Sequence, residues 1–127
     1  MSVHLTHGKG AYIFGCASKK LSDCEKTFYK DADPFGFILF ARNIENKDQI
    51  RNLTEDLRSA VGWNAPIFID QEGGRVQRLR APLAREWPEP LDHVRQAGDR
   101  AKEIIYSRYA VIAHELRQLG ITANCIP

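Results

Sequence analysis

The sequence predicts an α/β fold built on a parallel sheet, and three observations predict it. Short apolar runs alternate with stretches of helical periodicity, the runs are apolar on both faces as in strands covered on two sides, and the helix boundaries carry recognisable cap residues. About four βα steps fit into 127 residues. That alternation suits either a doubly wound sheet or a closed (β/α)8 barrel, and four steps in this length extrapolate to about 250 residues for eight, the usual size of the barrel. The expectation is therefore the amino-terminal half of a (β/α)8 TIM-type barrel, with residues 1–127 forming the amino-terminal part of a single truncated barrel domain.

Each element has a local reason. Ala11-Tyr12-Ile13-Phe14-Gly15-Cys16 is apolar and too short for a helix, so it reads as the first strand. Ser22, with Glu25 three residues later, has the spacing of a capping box and starts a helix from about Asp23. That helix should stop near Asp33-Pro34, because a residue before proline is pushed out of the α region. Gly36-Phe37-Ile38-Leu39-Phe40 reads as the second strand. Asn46 and Gln49 announce a second helix, with Ile50, Leu53, Leu57 and Ala60 on one face and Gly62 placed to end it.

Ala65-Pro66-Ile67-Phe68-Ile69 is the third strand and closes on Asp70. Residues 71–98 show little periodicity and contain Pro82, Pro88 and Pro90, so they read as a long functional loop. From Asp99 a long helix resumes, with Ile105, Tyr109, Ile112, Leu116 and Leu119 along one stripe and Gly120 as its cap. A fourth strand covers Ile121 to Ile126. No internal repeat or low-complexity segment accompanies this rhythm.

Composition narrows the function classes. A chain 43% hydrophobic and 27% charged is ordinary for a globular domain, which excludes disordered and fibrous classes. Lys and Arg number 18 against 16 Asp and Glu, without a block of like charge, so neither nucleic acid nor a membrane surface is implied as partner. No apolar run approaches the ~18 residues of a spanning helix, and the start of the chain lacks the pattern of a secretory signal, so a cytoplasmic location is expected. Cys16, Cys24 and Cys125 are odd in number and too scattered for a disulfide framework or a short-spaced zinc site, and they read as reduced, mostly buried thiols.

In parallel α/β folds reactive groups gather at the carboxyl ends of strands. The run Asp70-Gln71-Glu72-Gly73-Gly74-Arg75-Val76-Gln77-Arg78 falls there. An unpaired carboxylate at the end of an apolar strand is costly to bury, so Asp70 should meet a donor from the fold or a polar ligand. The paired glycines permit close backbone approach or positive φ, and Arg75 and Arg78 bring planar donors nearby. Three functional readings compete. A phosphate cradle lacks the glycine spacing that such loops need. A glycosidase dyad of Asp70 and Glu72 rests only on adjacency, since residues two apart on any strand lie about 6.5 Å from one another. The third is sugar binding, with Asp70 and an arginine each holding hydroxyls of one pyranose.

Ile69-Asp70-Gln71-Glu72-Gly73-Gly74-Arg75-Val76-Gln77-Arg78-Leu79 resembles the signature stretch of the bacterial β-N-acetylhexosaminidases of glycoside hydrolase family 3. Gly36-Phe37-Ile38-Leu39-Phe40-Ala41-Arg42-Asn43 resembles that family's second strand, and Glu115 to Pro127 resembles its approach to the fourth. The likeness runs through most of residues 12–127 in order and spacing. It implies a (β/α)8 barrel that removes non-reducing β-linked N-acetylglucosamine from anhydro-muropeptides during peptidoglycan recycling, in the cytoplasm and without metal or organic cofactor. It also implies that Asp70 holds sugar hydroxyls at the cleaved subsite, that Arg78 belongs with the substrate-binding residues, and that Glu72 is neither nucleophile nor acid. The family's nucleophilic aspartate and its histidine acid/base lie beyond the fourth strand, so no catalytic residue is expected among these 127.

Other residues weigh less. His114-Glu115 begins a zinc-protease motif, but position 118 is Gln118 where a second histidine is needed. His93 sits in the long loop without a placed partner, and His4 and His7 fall in a loose amino terminus. Arg42 and Asn43 are expected to organise the turn after the second strand and to pair with acids such as Glu72. Trp63 belongs to packing at the far end of the barrel, while Trp87 lies on the functional side and is open to a sugar-stacking role. Half a barrel leaves its first and fourth strands with unpaired edges, so the chain is expected to misfold, aggregate or pair with something, self-association through those edges being one outcome. The alternative is a short, non-catalytic protein that binds sugar or associates through those edges.

Overall fold

The computed structural model describes residues 10–127, so His4 and His7 lie outside the described residues. Four parallel strands form one sheet in the order β1 (Gly10–Phe14), β2 (Pro34–Leu39), β3 (Ile67–Ile69) and β6 (Ala123–Asn124). Between them run α1 (Asp23–Ala32), α2 (Lys47–Val61) and α4 (Ala101–Arg117), each returning the chain to a parallel neighbour as a βα crossover requires. Two antiparallel strands, β4 (Gln71–Gly73) and β5 (Val76–Gln77), form a separate hairpin at the end of β3.

The helix boundaries follow their local signals. Ser22 accepts from the Glu25 backbone N–H while the Glu25 carboxylate accepts from the Ser22 N–H, completing the capping box of α1. Asp33 ends α1 with φ 45°, directly before Pro34. Asn46 caps α2 through the Gln49 N–H, and Gly62 ends it with φ 76°. The strands are shorter than expected at β3 and β6, and β2 starts two residues earlier, at Pro34.

Residues 71–98 are not a plain loop. They hold the β4–β5 hairpin and a further helix, α3 (Pro90–Ala97), which starts on a proline at its first turn. A 3-10 turn (Gly98–Arg100) then leads into α4. His93 is therefore a helical residue rather than a loop residue.

The core lies on one face of the sheet. Phe37, Leu39, Ile67 and Ile69 alternate onto that face and are buried against Ile50, Leu53 and Leu57 of α2 and Ile112 and Leu116 of α4. Arg58 and Arg51 of α2 then reach the Gly120 and Gln118 carbonyls, tying the end of α4 to α2. The opposite face carries Ile13, Gly36, Ile38, Phe68 and Ala123, of which Ile13 is 42% exposed while Ile38 and Phe68 are half-buried. The expectation of strands covered on both sides is thus met on the helix face only.

The cysteines also divide differently from expectation: Cys16 is buried, but Cys24 and Cys125 are exposed. Cys24 falls on the outer side of α1 and Cys125 follows the last described strand, positions that a scattered-thiol argument cannot distinguish from core. Burial, then the Glu25 charge, pushes the Cys16 thiol up to about 11. Burial and the same carboxylate push Tyr29 up to about 12, its hydroxyl donating to the Gly15 carbonyl at 2.8 Å. Both groups bind their protons more tightly folded than unfolded. Their contribution to stability is therefore complete below the ordinary thiol value of 9.0 and is lost as pH rises through about 12. Urea unfolding across that range should show a falling midpoint, with Cys16→Ala removing the lower part of the decline; a flat profile would contradict this assignment.

Candidate functional site at the strand ends

The site forms where β2, β3 and β6 end. Phe40 and Asp70 continue the alternation of Ile38 and Phe68, so both stand on the open face at its carboxyl rim. There the Arg78 Nη2 donates to the Asp70 Oδ2 at 2.8 Å, with the two side chains 29% and 22% exposed. The two residues singled out from the sequence are thus brought together, and both stay accessible to solvent. Arg78 also lies against the Phe40 ring, its Cζ 5.9 Å from the centroid. Cys125, one step past β6, adds a thiol. Although the residue as a whole is exposed, local burial, then the Asp70 charge and hydrogen bond, then Glu72, raise its pKa.

A buried amide sets this geometry. The Gln71 Oε1 accepts from the backbone N–H groups of Arg78 at 3.0 Å and Leu79 at 2.9 Å, and its Nε2 donates to the Leu79 carbonyl at 2.8 Å. Its backbone is paired with the Asn124 side chain, which accepts from the Gln71 N–H at 2.9 Å and donates to the Gln71 carbonyl at 3.0 Å. Gln77 repeats the device on the other strand, donating to the Leu79 and Arg85 carbonyls and accepting from the Trp87 N–H. Position 71 is adjacent to Asp70 and position 78 is bound to position 71, so the carboxylate and the guanidinium are held on one frame.

Arg108 is the residue the sequence reading missed. It lies in the apolar stripe of α4, four residues before Ile112, and is 1% exposed. No carboxylate pairs with it among the described residues. Its Nη2 donates to the carbonyls of Glu72 and, at 2.8 Å, Pro88; Nη1 lies 2.9 Å from the His93 Nδ1, which must be unprotonated to accept from a guanidinium. Burial lowers its pKa, opposed by Tyr109. Its only sequence signal is the spacing 108, 112, 116, which puts a charged residue on the core side of a helix.

Several expectations are corrected at this rim. Glu72 offers its carbonyl to Arg108 and does not pair with Arg42. Arg42 instead donates from Nε to the Cys16 carbonyl at 3.1 Å, beside Asn43, whose Nδ2 donates to the Cys16 and Ser18 carbonyls. Asn43 therefore organises the turn as expected, without an acid. Arg75 is not beside Asp70: it is turned outward to Glu89 at 3.0 Å. The Trp87 ring lies near two guanidiniums, with the Arg85 and Arg108 Cζ atoms 5.6 and 5.4 Å from its centroid, and it packs against the core. Trp63 packs against the core, and His114 is exposed with Gln118 as its neighbour. Among the described residues no three His, Cys, Asp or Glu side chains gather as a metal site, and no helix is long and apolar enough to cross a membrane.

No protein-family model matches the chain. A β-hexosaminidase of Bordetella avium (strain 197N) is 35% identical over 124 residues, covering 93% of this chain and 35% of that protein. Another, from Methylobacillus flagellatus, is 39% identical over 98 residues, covering 72% and 27%. Among solved structures, native NagZ from Neisseria gonorrhoeae superposes with a TM-score of 0.80 at 28% identity, covering 91% of this chain and 34% of that one. A glycoside hydrolase family 3 β-N-acetylglucosaminidase from Paenibacillus sp. str. FPU-7 gives 0.78 at 30% identity, covering 88% and 21%.

Likeness in sequence and in parallel α/β fold places the chain in the glycoside hydrolase class. Within that class it belongs with the β-N-acetylhexosaminidases of glycoside hydrolase family 3 and matches their amino-terminal portion. The chain spans about a third of the length of the curated relatives it matches.

The hairpin geometry explains the paired glycines. Gly73 has φ 111°, and a Cβ there would meet the Arg108 Nη2 and stand 2.7 Å from the Pro88 carbonyl oxygen. Gly73→Ala is therefore expected to cost more than about 2 kcal/mol, combining positive-φ strain with a clash against a buried cation. Chemical denaturation measures this, and a change within about 0.5 kcal/mol, as at an ordinary surface site, would show that Arg108 is not held as described.

Proposed function

We propose that these residues supply the sugar-holding rim of a retaining β-N-acetylhexosaminidase, a (β/α)8 barrel of which this chain is the amino-terminal half. In that reading the whole protein hydrolyses terminal non-reducing β-linked N-acetylglucosamine from anhydro-muropeptides during peptidoglycan recycling in the cytoplasm. Asp70 and Arg78 bind substrate, and neither attacks the glycosidic bond. The observation that carries the reading is the Asp70–Arg78 pair, held at 2.8 Å on a buried amide frame yet accessible from the open face. An ionised carboxylate accepts hydrogen bonds only and a guanidinium donates only, so the pair can grip both ends of a vicinal diol. A Neisseria gonorrhoeae relative of the same fold has been solved with N-trifluoroacetyl-D-glucosamine, which supports a sugar of this type as ligand.

The residues that match the family's nucleophile and acid/base are not among these 127, so the chain alone is expected to bind without turnover. Titration with N-acetylglucosamine should give saturable binding that Asp70→Asn weakens by about tenfold or more, with circular dichroism unchanged. A wild-type chain that does not bind the sugar sinks the reading. Release of chromophore from an N-acetylglucosaminide above the blank would contradict the assignment of Asp70 and Arg78 to binding alone.

The exposed Ile13, the half-buried Phe68 and the outer edges of β1 and β6, which have no further strand partner among the described residues, favour a second reading for the isolated chain: self-association through its edges, without catalysis. Light scattering should then report a species larger than the monomer, increasing with concentration. A strictly monomeric chain would remove this reading.

A further inference from the structure

The two guanidiniums at the rim are not equivalent. Arg78 is paired with Asp70, whereas Arg42 is exposed and forms no ion pair among the described residues. Arg42 is nevertheless fixed in place. Its Nε donates to the Cys16 carbonyl at 3.1 Å, and its Cζ lies 4.7 Å from the centroid of the Phe40 ring that also carries Arg78. Its Nη2 stands 3.1 Å from the position a Cβ on Gly15 would take, so the glycine leaves the space the guanidinium uses. Free arginine side chains spread over many rotamers; here a ring, a carbonyl and a missing side chain restrict one beside the Asp70–Arg78 pair. Such restriction at an exposed position adds little to stability, and it leaves the Nη groups without a hydrogen-bond partner among the described residues.

We infer that Arg42 is a substrate-positioning residue whose Nη groups donate to an acceptor oxygen of the sugar held by Asp70 and Arg78. The inference rests on the carbohydrate-binding reading above and deepens it. Hydroxyl and acetamide oxygens of a neutral amino sugar accept such bonds, and a third anchor away from Asp70 fixes the rotation of the ring that two contacts leave free.

The test is a set of NMR titrations of the whole chain with N-acetylglucosamine and with analogues each lacking one exocyclic oxygen. Arg42→Ala should bind N-acetylglucosamine about tenfold more weakly, the scale of one charge-assisted hydrogen bond, and Arg42→Lys should recover part of that loss. The penalty should vanish for the one analogue that lacks the contacted oxygen. Equal affinity of Arg42→Ala and wild type overturns the inference, as does an equal penalty for every analogue, which marks a purely structural role. If Arg42→Ala does not fold, Gly15→Ala, which displaces the guanidinium by a few tenths of an ångström, must show the same analogue dependence. Failure of wild type to bind the sugar overturns the carbohydrate reading and this inference together, whereas loss of binding in Asp70→Asn with full binding in Arg42→Ala overturns the inference alone.

Discussion

The rim depends on one buried amide. A hairpin with strands of three and two residues has too few ladder bonds to persist on its own. Gln71 supplies what the ladder lacks: its side chain makes three hydrogen bonds to residues 78 and 79, and its backbone makes two with the Asn124 side chain. The hairpin is thereby joined to β3 in sequence and to β6 in space. Since leaving such an amide buried and unpaired costs about 1–3 kcal/mol, the frame is made as a whole or fails as a whole. Asp70 and Arg78 inherit their 2.8 Å separation from it.

Arg108 does the same work from the other side. A desolvated cation without a carboxylate is unusual, and here carbonyl dipoles of Glu72 and Pro88, the His93 ring nitrogen and the faces of Trp87 and Tyr109 take the place of an acid. The arrangement gathers the hairpin, the segment before α3, and α4 around one point. It also explains why the signature places glycine at 73, where only a residue without a Cβ leaves room for the guanidinium.

What the sequence disclosed and what it did not divide along the range of the forces involved. The capping box at Ser22, the Asn46 cap, the Gly62 terminus and the stop before Pro34 are decided by atoms within four residues of one another, and all were legible. Asp70 and Arg78 were legible as a pair because a short apolar strand delivers the first and the resemblance marks the second. The hairpin and α3 were not, because neither has an apolar periodicity of its own; Gln71, Gln77 and Arg108 hold them through contacts that reach 36 residues along the chain at Arg108 and 53 at Gln71. Arg75 and the exposed Cys125 show the same limit. Side-chain direction at a loop depends on the neighbour it finds, here Glu89 for Arg75, and no spacing rule encodes that choice.

The open face of the sheet links the fold to the chemistry. Along β2 and β3 the same alternation carries Gly36, Ile38 and Phe40, and Phe68 and Asp70, so the face is apolar in its middle and becomes charged only at the rim. Among the described residues Ile38 and Phe68 are half-buried with helices on the other side alone, and any cover over this face would also form the floor beneath the Asp70–Arg78 rim. Removing water from that floor would strengthen the ligand hydrogen bonds proposed for Asp70, Arg78 and Arg42, because the local dielectric falls. Closure of the sheet and affinity at the rim are therefore one energetic problem. On the proposed reading, the groups at the rim would reach their full strength only with the apolar face beneath them covered.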